Sequence, residues 1–200
     1  TAALEAARIS EEVAALTPNG VDWEAGRFWE RGQAVVSRGI NRYLRNPDPA
    51  DNGLDLVADL IHRGGVTTIA DAGSAPIVGS PQWENFRESF DTDQTPFRIL
   101  HVARAGSFET RSGESLSAKY QNDYKASTKR LVYTKGVKYM ADGAMFAQYM
   151  QMGEPGYIDG HHGEWLTPPD QLKPRIEPFW KEGFDINIHV NGDQIGRAHV

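Results

Sequence analysis

The spacing of apolar residues predicts a helical lead-in at the start of the chain. Apolar side chains recur every three to four residues over 2–16, 23–44 and 51–63, which is the repeat of one helix face. Prolines and glycines separate these stretches, and such residues end helices. We therefore expect three helices within residues 1–65.

Beyond residue 65, short β-branched runs alternate with helical stretches. The pattern predicts strands at 66–73, 97–105, 136–144 and 185–191, with helices at about 81–92, 114–134 and 170–183. Strands that alternate with helices form a parallel sheet covered by helices. No glycine-rich phosphate loop follows the first strand, which disfavours a nucleotide-binding sheet. Residues 66–200 are thus predicted to form about four βα units of a partial TIM (β/α)₈ barrel, an α/β fold.

The composition limits which partners the chain can bind and which atoms could hold a metal. The 21 Lys and Arg residues against 27 Asp and Glu leave a formal net charge of −6, whereas nucleic-acid binders carry a basic surface. No run approaches the ~18 apolar residues that cross a bilayer. We therefore expect neither a nucleic-acid nor a membrane partner. The compartment stays open, with the cytoplasm preferred. Cysteine is absent, so any metal must be held by nitrogen and oxygen ligands.

Lys138 and His189 are the candidates for metal chemistry. Side chains alternate along a strand, so Lys138 shares a face with Asp142, and His189 shares one with Asn191. A lysine or histidine inside a barrel is costly unless it is paired or bound. Imidazole is a common metal ligand, and a lysine becomes one when its neutral amine captures carbon dioxide as a carbamate. From the residues alone, an ion-paired lysine and a hydrogen-bonded histidine remain the commoner explanations.

Two further sets of residues could shape a site. The loop 148–169 is longer than most βα connections, and such loops tend to be functional. We predict that it lines a substrate pocket; the alternative is that its tryptophan packs the loop down while its histidines stay exposed. Asp142 and Asp193 stand beside glycines at strand ends and are predicted to form the rim of the site, since ligands bind at the carboxyl ends of parallel strands. The predicted pocket residues of the loop are His161, His162, Glu164 and Trp165.

Four motifs in order carry a resemblance to a known family. They are GGVTTIAD at 64–71, GVKYMADGA at 136–144, DGHHGEW at 159–165 with Pro168-Pro169, and IHVNGD at 188–193. Together they resemble the amidohydrolase superfamily, and more narrowly amidohydrolase family 3, which includes N-substituted formamide deformylase-like enzymes. The resemblance spans nearly the whole chain.

The resemblance implies a metal-dependent hydrolase of C–N bonds other than peptide bonds, acting on a small amide- or formamide-type substrate. The four units would correspond to barrel strands two to five. Lys138 matches the fourth-strand position, where relatives carry a carboxylated lysine or an acidic residue, and His189 matches the fifth-strand histidine ligand. One or two divalent metals, zinc foremost, would complete the site.

The chain lacks several ligand motifs of the family, and this changes what we expect of its activity. No His-x-His pair exists in the chain, and the sixth-strand histidine and the general-base aspartate would lie beyond Val200. We therefore expect a central fragment that binds metal weakly and does not turn over alone. Two alternatives stay open. One is a non-catalytic half-barrel that self-associates through exposed strand edges; the other is a barrel enzyme in which Lys138 forms a Schiff base or binds an anion. Self-association is expected in either case.

Overall fold

A computed structural model describes residues 2–15, 20–44, 53–109 and 115–194. Its first part is a mixed lead-in rather than a purely helical one. In chain order it contains helices α1 (Ala2–Ala6) and α2 (Glu11–Ala15), strands β1 (Val21–Asp22) and β2 (Arg27–Phe28), a 3₁₀ turn (Glu30–Gly32), and helices α3 (Gln33–Leu44) and α4 (Gly53–Arg63).

The prediction of three lead-in helices is therefore wrong in two places. The stretch 2–16 is interrupted at Arg8, whose φ of 56° is left-handed, so two short helices replace one. The stretch 23–44 becomes helical only at residue 33, because β1 and β2 form an antiparallel hairpin. Trp23 and Phe28 pack edge-on across this hairpin at 6.4 Å, a contact that satisfies the same apolar residues without a helix. Residues 51 and 52 of the third predicted helix lie outside the described part.

The sheet that follows confirms the α/β partial-barrel prediction. Its four strands are parallel, hydrogen-bonded in chain order, and strongly curled into a half-barrel. They are β3 (Thr68–Ala72), β4 (Arg98–Arg104), β5 (Leu131–Met140) and β6 (Asp185–His189). The accompanying helices are α5 (Pro81–Phe90), α6 (Ala105–Glu109), α7 (Leu116–Tyr124) and α8 (Pro169–Lys181).

Strand β5 corrects the prediction of a helix over 114–134. Helix α7 ends at Tyr124, and residues 131–134, of sequence LVYT, already belong to the strand. β-branched and aromatic residues favour strands, and this signal prevails because Leu131 and Tyr133 are buried in the core. The backbone N–H of Tyr133 also donates to Ser127 Oγ at 2.9 Å. Strands β4, β5 and β6 end earlier than predicted, at Arg104, Met140 and His189.

The core lies on the helix side of the sheet. One cluster joins Val137 and Tyr139 to Phe179 of α8, and another joins Ile99 and Leu131 to neighbouring aromatic residues. Since side chains alternate along a strand, the even-numbered residues of β4 and β5 point to the opposite, concave face. That face presents Arg104 and Lys138. None of the described helices has the length and apolar character needed to span a membrane.

Candidate functional site

The strand register brings Lys138 and His189 to the same concave face. Lys138 is paired in register with Arg104 on one side and with Asn187 on the other, and Met140 is paired with His189. Lys138 and His189 therefore lie on adjacent strands, two residues apart. With strands about 4.8 Å apart and a rise of about 3.3 Å per residue, their Cα atoms are separated by about 8 Å. Side chains that converge from such positions can reach one ligand.

Lys138 lines a cavity of about 960 Å³ that opens at the carboxyl ends of β4 and β5. It is partly exposed. Within the described part of the chain its ammonium has neither a hydrogen-bond acceptor nor a carboxylate partner. The stem packs close to β3, since a Cβ placed on Gly73 would lie 3.2 Å from Lys138 Cγ. A lysine held at a cavity wall without a partner is available to a ligand or to modification.

His189 is oriented by its own strand end. Its Nε2 lies 3.1 Å from Asn191 Oδ1, and Asn191 Nδ2 donates to the carbonyl oxygen of Gly143 at 2.9 Å. Because the amide oxygen can only accept, the imidazole donates from Nε2, which leaves Nδ1 with a lone pair in the neutral ring. Metal-binding histidines commonly donate their second ring N–H in this way.

The two predicted rim carboxylates both anchor backbone. Asp142 is fully buried and accepts hydrogen bonds from the N–H groups of Gln151, Asn191 and Gly192 at 2.7–2.9 Å. Asp193 Oδ1 accepts the N–H of Gly153 at 2.7 Å. The exits of β5 and β6 are thus tied together and to the long loop. This places both carboxylates at the rim as supports of its shape; a direct contact with a ligand stays a prediction.

The long loop is itself a folded hairpin-like unit. Met152 N–H donates to the carbonyl of His162 at 2.8 Å, and Glu164 N–H donates to that of Tyr149 at 3.0 Å. Gly163 has a φ of +85°, and a Cβ there would lie 2.0 Å from the carbonyl oxygen of Met150, so only glycine fits this crossing. The loop is consequently held in one conformation against the end of the sheet.

Within this loop, the two histidines are engaged rather than free. The His161 ring stacks on Tyr157 with centroids 4.4 Å apart, and its Nδ1 accepts the N–H of Gly163 at 3.1 Å. The Nδ1 of His162 lies 3.0 Å from the carbonyl oxygen of Met152. Trp165 is partly buried and pairs through its backbone with Asp142. These contacts stabilise the loop, and a role in lining a substrate pocket stays a prediction.

Two residues that the sequence analysis left out join the lead-in to the loop. Trp29 stacks on Tyr149 with centroids 5.4 Å apart and an interplanar angle of 7°, and its indole N–H donates to Glu164 Oε2 at 3.2 Å. Glu30 Oε1 accepts the N–H of Ala144 at 2.6 Å. Both residues lie inside the helix predicted over 23–44 but precede α3 in the structure, so the predicted helix face could not indicate these neighbours. Burial raises the pKa of Glu164, although the indole N–H opposes that change.

The described residues do not form a complete metal site. They contain no group of three His, Asp or Glu side chains placed to bind one ion. Lys138 and His189 lie on one face of adjacent strands, but catalytic zinc typically has three protein ligands and a water. The chain itself therefore provides two candidate ligands on one face.

Comparisons with known proteins agree with the fold. A crystal structure of an uncharacterized metal-dependent hydrolase from Pyrococcus horikoshii OT3 is similar over 97% of this chain, with a TM-score of 0.60 and 15% sequence identity. The match spans 37% of that chain's length, and at this identity it establishes the fold alone. No protein-family model matches the sequence. No curated protein matches it either.

Proposed function

We infer that the concave face carries part of the active site of a metal-dependent hydrolase that cleaves C–N bonds of small amide- or formamide-type substrates. The observation that carries this proposal is that Lys138, at the wall of a large cavity, and His189 lie on the same face of adjacent parallel strands. In barrel enzymes, catalytic residues come from the ends of several strands at this face. The solved metal-dependent hydrolase of similar fold supports the reaction class.

His189 and Lys138 would provide some of the ligands that a metal site needs. His189 would bind through the ring nitrogen left free by its hydrogen bond to Asn191, and Lys138 would bind as a carbamate, whose oxygens act like those of a carboxylate. Bound metal would lower the pKa of a water and polarise the substrate carbonyl. Zinc suits the nitrogen and oxygen donors available without cysteine.

Zinc titration of the purified chain tests this proposal. We expect weak binding by the parent chain and its loss in both His189→Ala and Lys138→Ala, measured by calorimetry or by competition with a chromophoric chelator. His162→Ala is the matched control, because this histidine lies in the same region but contacts only the loop backbone and Glu154. Intact-mass analysis in bicarbonate buffer should show the mass of one carbon dioxide, absent from Lys138→Ala. Equal zinc affinity in all three variants would contradict the proposal.

A second candidate function rests on the neighbour of Lys138. Arg104 is its in-register partner on β4, and an adjacent guanidinium favours a lysine that acts as a nucleophilic amine or an anion-binding group. Borohydride reduction in the presence of pyruvate distinguishes the two functions. A stable adduct on Lys138 would support a Schiff-base enzyme, whereas no adduct together with zinc binding would support the hydrolase.

A further inference from the structure

The cavity beside Lys138 is basic in a chain that is acidic overall. The whole chain has a net charge of −6, yet the cavity wall contains one carboxylate and five basic side chains. The carboxylate, Glu30, is engaged with the backbone of Ala144. The five basic side chains are Arg31, Arg38, Arg104, Lys138 and Arg175.

Two of these cations are already committed to protein partners. Arg175 forms a two-pronged ion pair with Glu109, with nitrogen–oxygen distances of 2.8–3.2 Å, and lies over the ring of Tyr139. Arg31 donates to the carbonyl oxygen of Leu166 at 2.6 Å. Their guanidinium groups help to build the wall.

Arg104 is different, because its charge is oriented but not neutralised. Its Nε donates to the carbonyl oxygen of Gly73 at 2.6 Å, and the part of the chain that the structure describes offers it no carboxylate. One edge of the guanidinium is therefore fixed, while the two terminal nitrogens remain free to form the paired hydrogen bonds that an oxyanion accepts. Gly73 packs against the arginine side chain, since a Cβ there would lie 3.7 Å from both Arg104 Cγ and Arg104 Nε.

Arg38 of α3 provides a second cation on the same cavity wall. Among the described residues it too has no carboxylate or carbonyl partner. Two cations without a carboxylate partner on one cavity wall favour an anionic ligand, because hydrogen bonds between ionised groups are stronger than neutral ones. Apolar residues complete the lining, namely Ala34, Val35, Met140 and Leu166. A ligand with one anionic end and an apolar body fits this combination.

We propose that the cavity binds an organic carboxylate through Arg104 and Arg38. The inference rests on the proposed function in taking this cavity as the substrate site, and it narrows the substrate class to amides that carry a carboxylate near the C–N bond, such as N-acyl amino acids. It does not require a charged Lys138, so a carbamate on that lysine leaves the two arginines in place.

Binding of N-acetylglycine to the metal-free chain tests the proposal without any turnover. Calorimetry or ligand-observed NMR should show that N-acetylglycine binds at low salt, that its uncharged amide binds at least tenfold more weakly, and that Arg104→Gln and Arg38→Gln each weaken binding about tenfold or more. Arg104→Lys should restore less than half of the lost affinity, because it returns the charge without the paired donors. Arg98→Gln is the matched control, since this exposed arginine lies at the opposite end of the same strand.

Each alternative result overturns the proposal in a recognisable way. Equal binding of the acid and its amide would remove the role of the charge, and unchanged affinity in Arg104→Gln would remove the assigned residue. Tighter binding of inorganic phosphate than of N-acetylglycine would assign the site to a phosphate ligand instead. Zinc affinity, measured in parallel, distinguishes the carboxylate-binding proposal from the hydrolase proposal. The hydrolase proposal predicts that zinc affinity depends on His189, whereas the arginine variants should leave zinc affinity unchanged.

Discussion

Replacing Asp142 should cost more stability than any other single change at the strand ends. The carboxylate is fully buried. Its Oδ2 accepts the N–H groups of Gln151 and Gly192, and its Oδ1 accepts that of Asn191, at 2.9, 2.7 and 2.9 Å respectively. Three backbone donors from two separate loops thus depend on one side chain.

The expected magnitude follows from those three donors. In Asp142→Ala each orphaned N–H costs about 1–3 kcal/mol, and relief of the buried charge and entry of water offset part of the total. We expect the free energy of unfolding to fall by about 3–4 kcal/mol. Asp142→Asn should cost about 1–3 kcal/mol, because its single oxygen can keep the two Oδ2 bonds while its amide group faces the N–H of Asn191.

Urea denaturation followed by tryptophan fluorescence measures both losses. Amide hydrogen exchange should accelerate at Gln151, Asn191 and Gly192 first, since these are the groups released. Asp159→Asn is the control: it changes an exposed carboxylate in the same loop, whose contact with the N–H of His161 is long, at 3.4 Å. A loss below about 1 kcal/mol in Asp142→Ala, or an alanine variant more stable than the asparagine variant, would refute the reasoning.

Three further outcomes are expected. Burial raises the pKa of Glu164 above 4.5, so the stability that this carboxyl contributes is lost as pH rises through the raised pKa. Because Glu164→Gln keeps an acceptor for the Trp29 indole, thermal melts should show the variant gaining stability over the parent as pH increases from about 4 to 7. A stability difference that stays constant with pH would contradict this. Tyr139→Phe should lower the free energy of unfolding by about 1–2 kcal/mol in urea denaturation, since the buried hydroxyl donates to the carbonyl of Arg175 at 2.8 Å. Burial raises the pKa of Tyr139 to about 12, so an ultraviolet titration of the parent should show a late step that the variant lacks. Strands β3 and β6 each pair on one side only within the described sheet, so we propose that the chain self-associates through these edges. Light scattering should show a molecular mass that rises with protein concentration, and a monomer at every concentration would contradict self-association.

The strands could be predicted because their signal is local. Runs such as 66–73 and 185–191 combine β-branched residues with flanking glycines, and both are strands in the structure, with bounds that differ from the prediction by at most two residues. The segment 131–134 failed because the preceding helical pattern masked the start of β5. The apolar residues of 23–29 failed because they pack across a hairpin instead of along one helix face.

For the candidate site, too, local patterns could be predicted and contacts between distant segments could not. The predicted order of strands made the strands of Lys138 and His189 neighbours, and the register confirms that the two residues lie on one face of the sheet. No periodicity could show that Trp29 and Glu30 of the lead-in contact the loop more than 100 residues later. Such contacts join segments far apart in sequence, and only packing in three dimensions selects them.

The sequence alone determined that this chain alternates strands and helices, that its strands end in polar residues, and that any metal it binds must be held by nitrogen and oxygen atoms. These properties depend on short-range periodicity and on residue type. The tertiary structure decided that Asp142 is a buried anchor, that the loop histidines are engaged, and that Arg104 stands beside Lys138 with its charge uncompensated among the described residues. The reason is physical: solvation, hydrogen bonding and charge pairing depend on which groups meet after the chain folds, and those neighbours come from distant parts of the sequence.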